Sequence, residues 1–325
     1  MIMAYKPRHL MTLFLPVLLL AGFTVSCTDT DILPDAGTSS IDFGTPALTR
    51  GVVTSADDMD AFDVWGWYEP EEGGDVAQVF NATPVTKEST DSWKYDNPQR
   101  WQSGNTYRFY AVYPSGLDNV DVSSNGKITI RTYNATANYD LMVANQTVSY
   151  ASDAITSPGK VSFQFKHILA NIVFAARTAP AVSESGQSMT ITSFKLTGFP
   201  VTGSYNSGNV PAWSVSTPQN ERYSSTDPVK LTGTDYKELV SLLVFPQLLG
   251  TVEGSSLRYE IVYEDAYQNE YESSGRLQAV SGDLSQWQEG KRYRYTMDLG
   301  ADYILFGTPQ VEEWEEMSGG RWNVE

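Results

Sequence analysis

The sequence predicts an all-β protein made of packed sandwiches, and three observations carry that expectation. Short runs rich in Val, Ile, Phe, Tyr and Trp recur along the chain, and each is stopped by a cluster of Gly, Pro, Asn or Asp. No window of the first half carries a sustained apolar period of 3.6 residues. Several runs place aromatic residues on both parities, as a strand between two packed layers requires.

Taken in order, residues 62–68 form the first clear strand, halted by the loop composition of residues 69–74. Trp93, Lys94 and Tyr95 precede the turn Asp96, Asn97, Pro98. Residues 107–113 end at Pro114 and read as a central strand, with Tyr107, Phe109 and Tyr113 on one parity and Tyr110 and Val112 on the other. The Asn125-Gly126 pair before Ile128 suits a tight hairpin, and residues 141–144 close the half. Ser157-Pro158-Gly159 marks a domain boundary, giving an N-terminal sandwich over 51–158 and a C-terminal one over 159–325. In residues 161–176, Val161, Phe163 and Phe165 share one face, whereas Ile168, Ala170, Ile172 and Phe174 take the opposite parity. The buried face changes at His167, which predicts a bulge or a strand passing from one sheet to the other. Further strands are expected at 191–196, 242–245, 259–263, 292–299 and 303–306.

Composition narrows the chemistry. The 325 residues are 41% hydrophobic and 12% aromatic, a globular balance, and the formal charge of −17 opposes a nucleic-acid phosphate backbone. One Cys forbids an intrachain disulfide, and two His leave little for a zinc site or a His-driven triad. His167 is therefore read as structural, its ring bonding backbone groups that the phase slip leaves unpaired. The acidic clusters near residues 57–60, 69–72 and 312–316 lack the spacing of a calcium loop and are expected to be solvated charge, so no metal or cofactor is predicted. Ser157-Pro158-Gly159-Lys160 matches Ser-x-x-Lys, yet Pro158-Gly159 makes a turn where a catalytic version needs a helix. No phosphate-binding glycine loop or His-Glu-x-x-His is present, and an enzyme is not expected. The eight Trp and 19 Tyr are expected to fill cores, with a glycan-stacking platform as the alternative.

The N-terminus carries targeting information. Lys6 and Arg8 precede an apolar run over residues 10–25, too short for a membrane span and suited to a signal-peptide core. The run ends Thr24-Val25-Ser26-Cys27, which resembles a bacterial lipobox with residues 1–26 as the signal peptide, although Thr24 stands where an aliphatic residue is usual. Cys27 is then the lipidated residue, and acylation would hold the chain on a membrane without a spanning helix. The alternative is ordinary signal-peptidase cleavage nearby. Residues 27–50 form a leader, acidic at first and then rich in Gly, Ser, Thr and Pro. Within it, residues 40–43 alternate polar and apolar and can form an edge strand before Pro46. Arg50 is the first basic residue after Cys27.

Several strings together resemble the fimbrillin family of Bacteroidetes. They are Thr49-Arg50-Gly51 followed by residues 62–68, the run Phe165-Lys166-His167-Ile168-Leu169-Ala170-Asn171, then Leu243-Val244-Phe245-Pro246-Gln247, and finally residues 287–295 with Val311-Glu312-Glu313-Trp314. The resemblance implies two tandem transthyretin-like β-sandwiches in a lipoprotein precursor exported to the outer membrane surface, where Cys27 carries the lipid. It further implies that an Arg-specific protease cleaves Arg50-Gly51, removing an occluding strand that includes Ile41 and Phe43. A strand from another fimbrial subunit then fills the groove, with the donor expected among residues 303–306 and 311–314. The protein would thus serve as a structural subunit of an adhesive fimbria. The other reading is a lipid-anchored pilus anchor or glycan-binding module.

Overall fold

The computed structural model describes residues 39–48, 59–89, 92–216, 221–249, 256–277 and 285–314. Its architecture follows from alternation: strand after strand sends even and odd residues into different cores. In strand Ala61–Pro70, Phe62 and Val64 enter one apolar cluster while Trp65 and Trp67 enter another. Strand Asn105–Tyr113 does the same, with Tyr107, Phe109 and Ala111 on one side and Tyr110 and Val112 on the other. Gly66, between them, passes so close to Phe80 and Phe109 that a Cβ would lie 2.9 Å and 3.0 Å from their rings.

These strands sit in the middle of a seven-stranded sheet. Its order is Ala47–Leu48, Gln164–His167, Met142–Tyr150, Asn105–Tyr113, Ala61–Pro70, Ala77–Ser89 and Ser92–Lys94. The first pair is parallel and the others are antiparallel. One face is covered by a four-stranded antiparallel sheet of Val120–Val122, Ile128–Asn134, Thr202–Asn206 and Trp213–Val215. Strand Ala77–Ser89 is the largest departure from the sequence expectation, since Asn81, Pro84, Lys87 and Glu88 break any apolar run. Pairing on both sides, with Ala61–Pro70 and with Ser92–Lys94, makes it a strand regardless.

The second half forms a sandwich of two sheets. One contains Lys237–Val244, Ala170–Thr178, Lys291–Leu299 and the terminal strands Ile304–Phe306 and Gln310–Glu313, both paired with Lys291–Leu299. The other contains Tyr223–Ser225, Val229–Leu231, Met189–Thr197, Arg258–Glu264 and Glu270–Arg276. Between them lie Ile172, Phe174, Ile191, Leu196, Ile261, Tyr263, Tyr295 and Met297. The phase slip at His167 is a change of sheet: Gln164–His167 belongs to the seven-stranded sheet, and Ala170–Thr178 to the second sandwich.

A third cluster joins the halves. Trp65, Tyr110, Ile130 and Tyr133 meet Ile168, Leu169, Trp213, Leu243, Phe245 and Trp314. Polar groups stitch the same seam, as Trp213 donates its indole N–H to the Ile168 carbonyl at 2.7 Å. Arg222 donates to the carbonyls of Ala135 at 2.7 Å and Leu243 at 3.1 Å. Among the described residues no helix is long and apolar enough to cross a membrane.

Parallel pairing in the second sandwich places Arg177 beside Asp298. The guanidinium grips the carboxylate through Nε at 2.8 Å and an Nη at 3.0 Å, and lies 4.4 Å over the Tyr236 ring. The Tyr236 hydroxyl also donates to Asp298, at 2.8 Å. The hydrogen bond from Arg177, followed by that from Tyr236, holds the Asp298 carboxyl below its ordinary 3.8. A lowered carboxyl value contributes stability that is present above the unfolded value and lost as pH falls through the folded one. Asp298→Asn is expected to cost about 1–3 kcal/mol at neutral pH. Its deficit against the parent should stay constant from pH 7 down to about 5 and shrink below the ordinary value of 3.8. Urea unfolding across that pH range measures both.

Candidate functional site

The leader strand is the part of the molecule with two sides to satisfy. It runs from Ser39 to Leu48 between residues 99–101, which follow the last strand of the seven-stranded sheet, and residues 161–165 at that sheet's other end. Ile41 donates its backbone N–H to Gln99 at 2.8 Å, and Ser39 accepts from Trp101 at 3.0 Å. On the opposite side Gly44 donates to Val161 at 2.9 Å and Ala47 to Phe163 at 2.8 Å, while Asp42 accepts from Val161 at 2.8 Å. The leader is antiparallel to the first neighbour and parallel to the second. Tyr95 adds a side-chain bond, its hydroxyl donating to the Ile41 carbonyl at 2.7 Å.

Side chains follow the same logic. Alternation turns Ile41 and Phe43 inward, where they are 0% and 1% exposed, and leaves Asp42 outside. Phe43 lies at the centre of an aromatic cage of Phe62, Phe80, Tyr95, Phe109 and Phe163, with ring centroids 5.5–6.4 Å away. Gly44 passes close to Ser162, since a Cβ there would stand 2.6 Å from the hydroxyl oxygen, which would have to turn away. Without the leader, acceptors at Gln99, Val161 and Phe163 and donors at Val161 and Trp101 would border an open aromatic groove.

Leu48, the last described leader residue, lines an open cleft of about 640 Å³ with Gln164, Lys166, Tyr205, Glu289 and Lys291. Burial by the cleft walls pushes the Glu289 carboxyl up to about 7, although the residue keeps contact with solvent. Arg50 and Gly51, which follow Leu48 in the sequence, fall outside the described residues, as does Cys27.

His167 is buried where the chain leaves the first sheet. Its Nδ1 stands 2.8 Å from an Asp140 carboxylate oxygen, and Trp314 stacks on the ring with centroids 4.5 Å apart. The expected backbone partners are thus replaced by a carboxylate and an indole, because the change of sheet at residues 168–169 brings the loop before Met142 and the chain's last described residue onto the ring. Nothing in the sequence spacing marks Asp140. The His167 ring is held by Asp140 and Trp314, whereas Ile41 and Phe43 lie in the aromatic cluster of the leader, so the structure does not unite the three in one site. Among the described residues no group of three or more His, Cys, Asp or Glu is placed to hold a metal. All Trp residues outside the C-terminal tail are buried, which leaves no indole among the described residues for a stacking platform.

Phe43→Ala is expected to cost about 3–5 kcal/mol by emptying the cage. If the leader can leave the groove while the rest stays folded, the variant should bind a hydrophobic dye before its global unfolding transition. Calorimetry with dye fluorescence measures the two events.

The comparisons with known proteins fit this architecture. A family model described as fimbrillin-like matches residues 49–314. A fimbrial protein from Bacteroides vulgatus superposes with a TM-score of 0.58 at 17% identity, covering 84% of this chain and 99% of its own. A putative cell adhesion protein from Bacteroides ovatus gives a TM-score of 0.51 at 15% identity, covering 85% of this chain and 98% of its own. No curated protein sequence matches the chain. With the family model spanning most of its length, the chain belongs to the fimbrillin-like family.

Proposed function

We propose that this protein is a structural subunit of a cell-surface fimbria, made as a lipoprotein precursor and assembled by strand exchange after its leader is cut away. The observation that carries the reading is the leader itself, a two-sided strand with a fully buried Ile and Phe that contributes the centre of a core yet lies at the edge of the chain. In support, the family model begins at Thr49, directly after the leader strand. The relatives described as fimbrial and cell adhesion proteins agree with a surface fibre.

The mechanism follows from effective concentration. While residues 39–48 are covalently joined to the sandwich, the groove is filled by an intramolecular strand that no free segment can match. Hydrolysis of the Arg50-Gly51 peptide bond by an Arg-specific surface protease turns that occupant into a separate peptide, still lipidated at Cys27 and held by the membrane. Its rebinding then depends on diffusion. The vacated groove offers aligned backbone donors and acceptors beside an aromatic cage, a combination that another β-strand satisfies and a loop or a helix does not. The partners are therefore further fimbrial subunits, the protease, and the outer membrane through Cys27 of the precursor. The two sandwich units proposed over residues 51–158 and 159–325 interlock, since Gln164–His167, Thr202–Asn206 and Trp213–Val215 pair into the sheets of the first. No catalytic role is assigned to any residue.

The form recovered from the cell surface is expected to begin at Gly51 and to run as a ladder of heat-resistant oligomers, with Arg50→Ala retaining the leader and abolishing the ladder. Intact-mass and N-terminal peptide mass spectrometry test this. A surface form that keeps an acylated Cys27 and makes no ladder would replace the stalk reading with a pilus anchor or a glycan-binding lipoprotein.

A further inference from the structure

The cleft beside Leu48 is left unused by strand exchange. Its volume of about 640 Å³ falls within the roughly 300–1,000 Å³ of small-molecule sites, and it lies where the chain passes from the first sheet to the second sandwich. Three elements supply its polar lining. Strand Gln164–His167 alternates, so Phe165 enters the aromatic core while Gln164 and Lys166 face outward into the cleft. A turn at residues 288–291 contributes Glu289 and Lys291. This turn is fixed in place, because the Gly290 N–H donates to the Leu169 carbonyl at 2.9 Å. Strand Thr202–Asn206 adds Tyr205, and Leu48, Val143 and Ile168 supply apolar surface between the polar groups.

We propose that this cleft binds an acidic saccharide, with Lys166 and Lys291 taking the sugar carboxylate, Gln164, Tyr205 and Glu289 the hydroxyls, and the apolar surface one C–H face of the ring. Charge argues for an acid. Acidic residues outnumber basic ones 39 to 22 in the chain, yet two lysines meet here beside one carboxyl. Glu289, its carboxyl raised to about 7 by burial, carries only part of its charge at neutral pH. Lys166 is exposed and Lys291 lies opposite Glu313 in the strand pairing, so Lys166 is the leading contact. The other groups argue for a sugar. Burial, and then the neighbouring Glu289, raise the Tyr205 hydroxyl and keep it protonated as a hydrogen-bond donor. A simple anion would leave Tyr205, Gln164 and the apolar surface unused. An acidic peptide would look for backbone partners, but Gln164–His167 already pairs with Ala47–Leu48 and with Met142 and Val143. Leu48 forms part of the wall, so the inference concerns the chain with its leader in place and does not depend on the leader's removal.

Calorimetric titration at low ionic strength tests the assignment. The uncleaved chain from residue 27, with Cys27→Ser, is titrated with two acidic sugars, digalacturonate and N-acetylneuraminate. Three comparison ligands separate the terms: digalactose, which keeps the rings of digalacturonate and loses the carboxylates, citrate, and a diglutamate peptide. At least one acidic sugar is expected to bind at least about tenfold tighter than all three. Lys166→Gln should weaken that binding about fivefold or more and leave the unfolding temperature unchanged, since the side chain is exposed. Tyr205→Phe should weaken it as well, and Lys230→Gln, at an exposed position of the second sandwich, should not. Absence of binding by both acidic sugars, equal binding of digalactose, or full affinity in Lys166→Gln overturns the site. Citrate or diglutamate binding as tightly as the sugars overturns the saccharide assignment. None of these outcomes bears on whether the leader is cut, which the mass of the surface form reads separately.

Discussion

A β-sheet that curls around a core without closing leaves unpaired backbone groups along both of its ends, and the rest of this molecule depends on how that gap is filled. The seven-stranded sheet wraps its aromatic core from Ser92–Lys94 to Gln164–His167. Among the described residues the leader bridges the two ends, bonded to residues 99–101 on one side and 161–165 on the other. The demand is strict because the groove asks for two things together: backbone pairing on both sides and large apolar side chains at alternate positions. Water can meet the first requirement and a hydrophobic side chain the second, but an extended strand of suitable sequence meets both.

The opposite face of the same sheet is held independently of the leader. Trp65, Tyr110 and Ile130 pack there against Trp213, Phe245 and Trp314 in a core shared by both halves of the chain. The Arg222 and Trp213 bonds stitch the same seam. The face away from the leader is therefore held by contacts that do not involve it. Large cores distribute their stability over many residues, and an element contacted along one groove can exchange while the remainder holds.

Much of the fold was legible because period-two alternation is a strong signal where a strand is buried on both faces. Residues 62–68 and 107–113 could be placed for that reason, and the parity change at His167 located the passage between sheets. The 77–89 strand was illegible because its partners create it, and no local apolar pattern does. Asp140 was hidden for a related reason: it meets His167 through a change of sheet that sequence spacing does not encode. In the leader, the alternation around Ile41 and Phe43 was visible, but its two-sided pairing became apparent only with residues 99–101 and 161–165 in position.

The polarity of the leader has a mechanical side. Its bonds to residues 161–165 lie side by side along a strand that runs parallel to its neighbour, and Phe43 sits deep within a ring of five aromatic residues. A pull along the axis of whatever strand occupies this groove loads those bonds together in shear and must drag a phenyl ring out of its cage sideways. A pull across the strand would instead open the bonds one at a time, like a zip. The groove is thus strongest against tension along the strand that it holds.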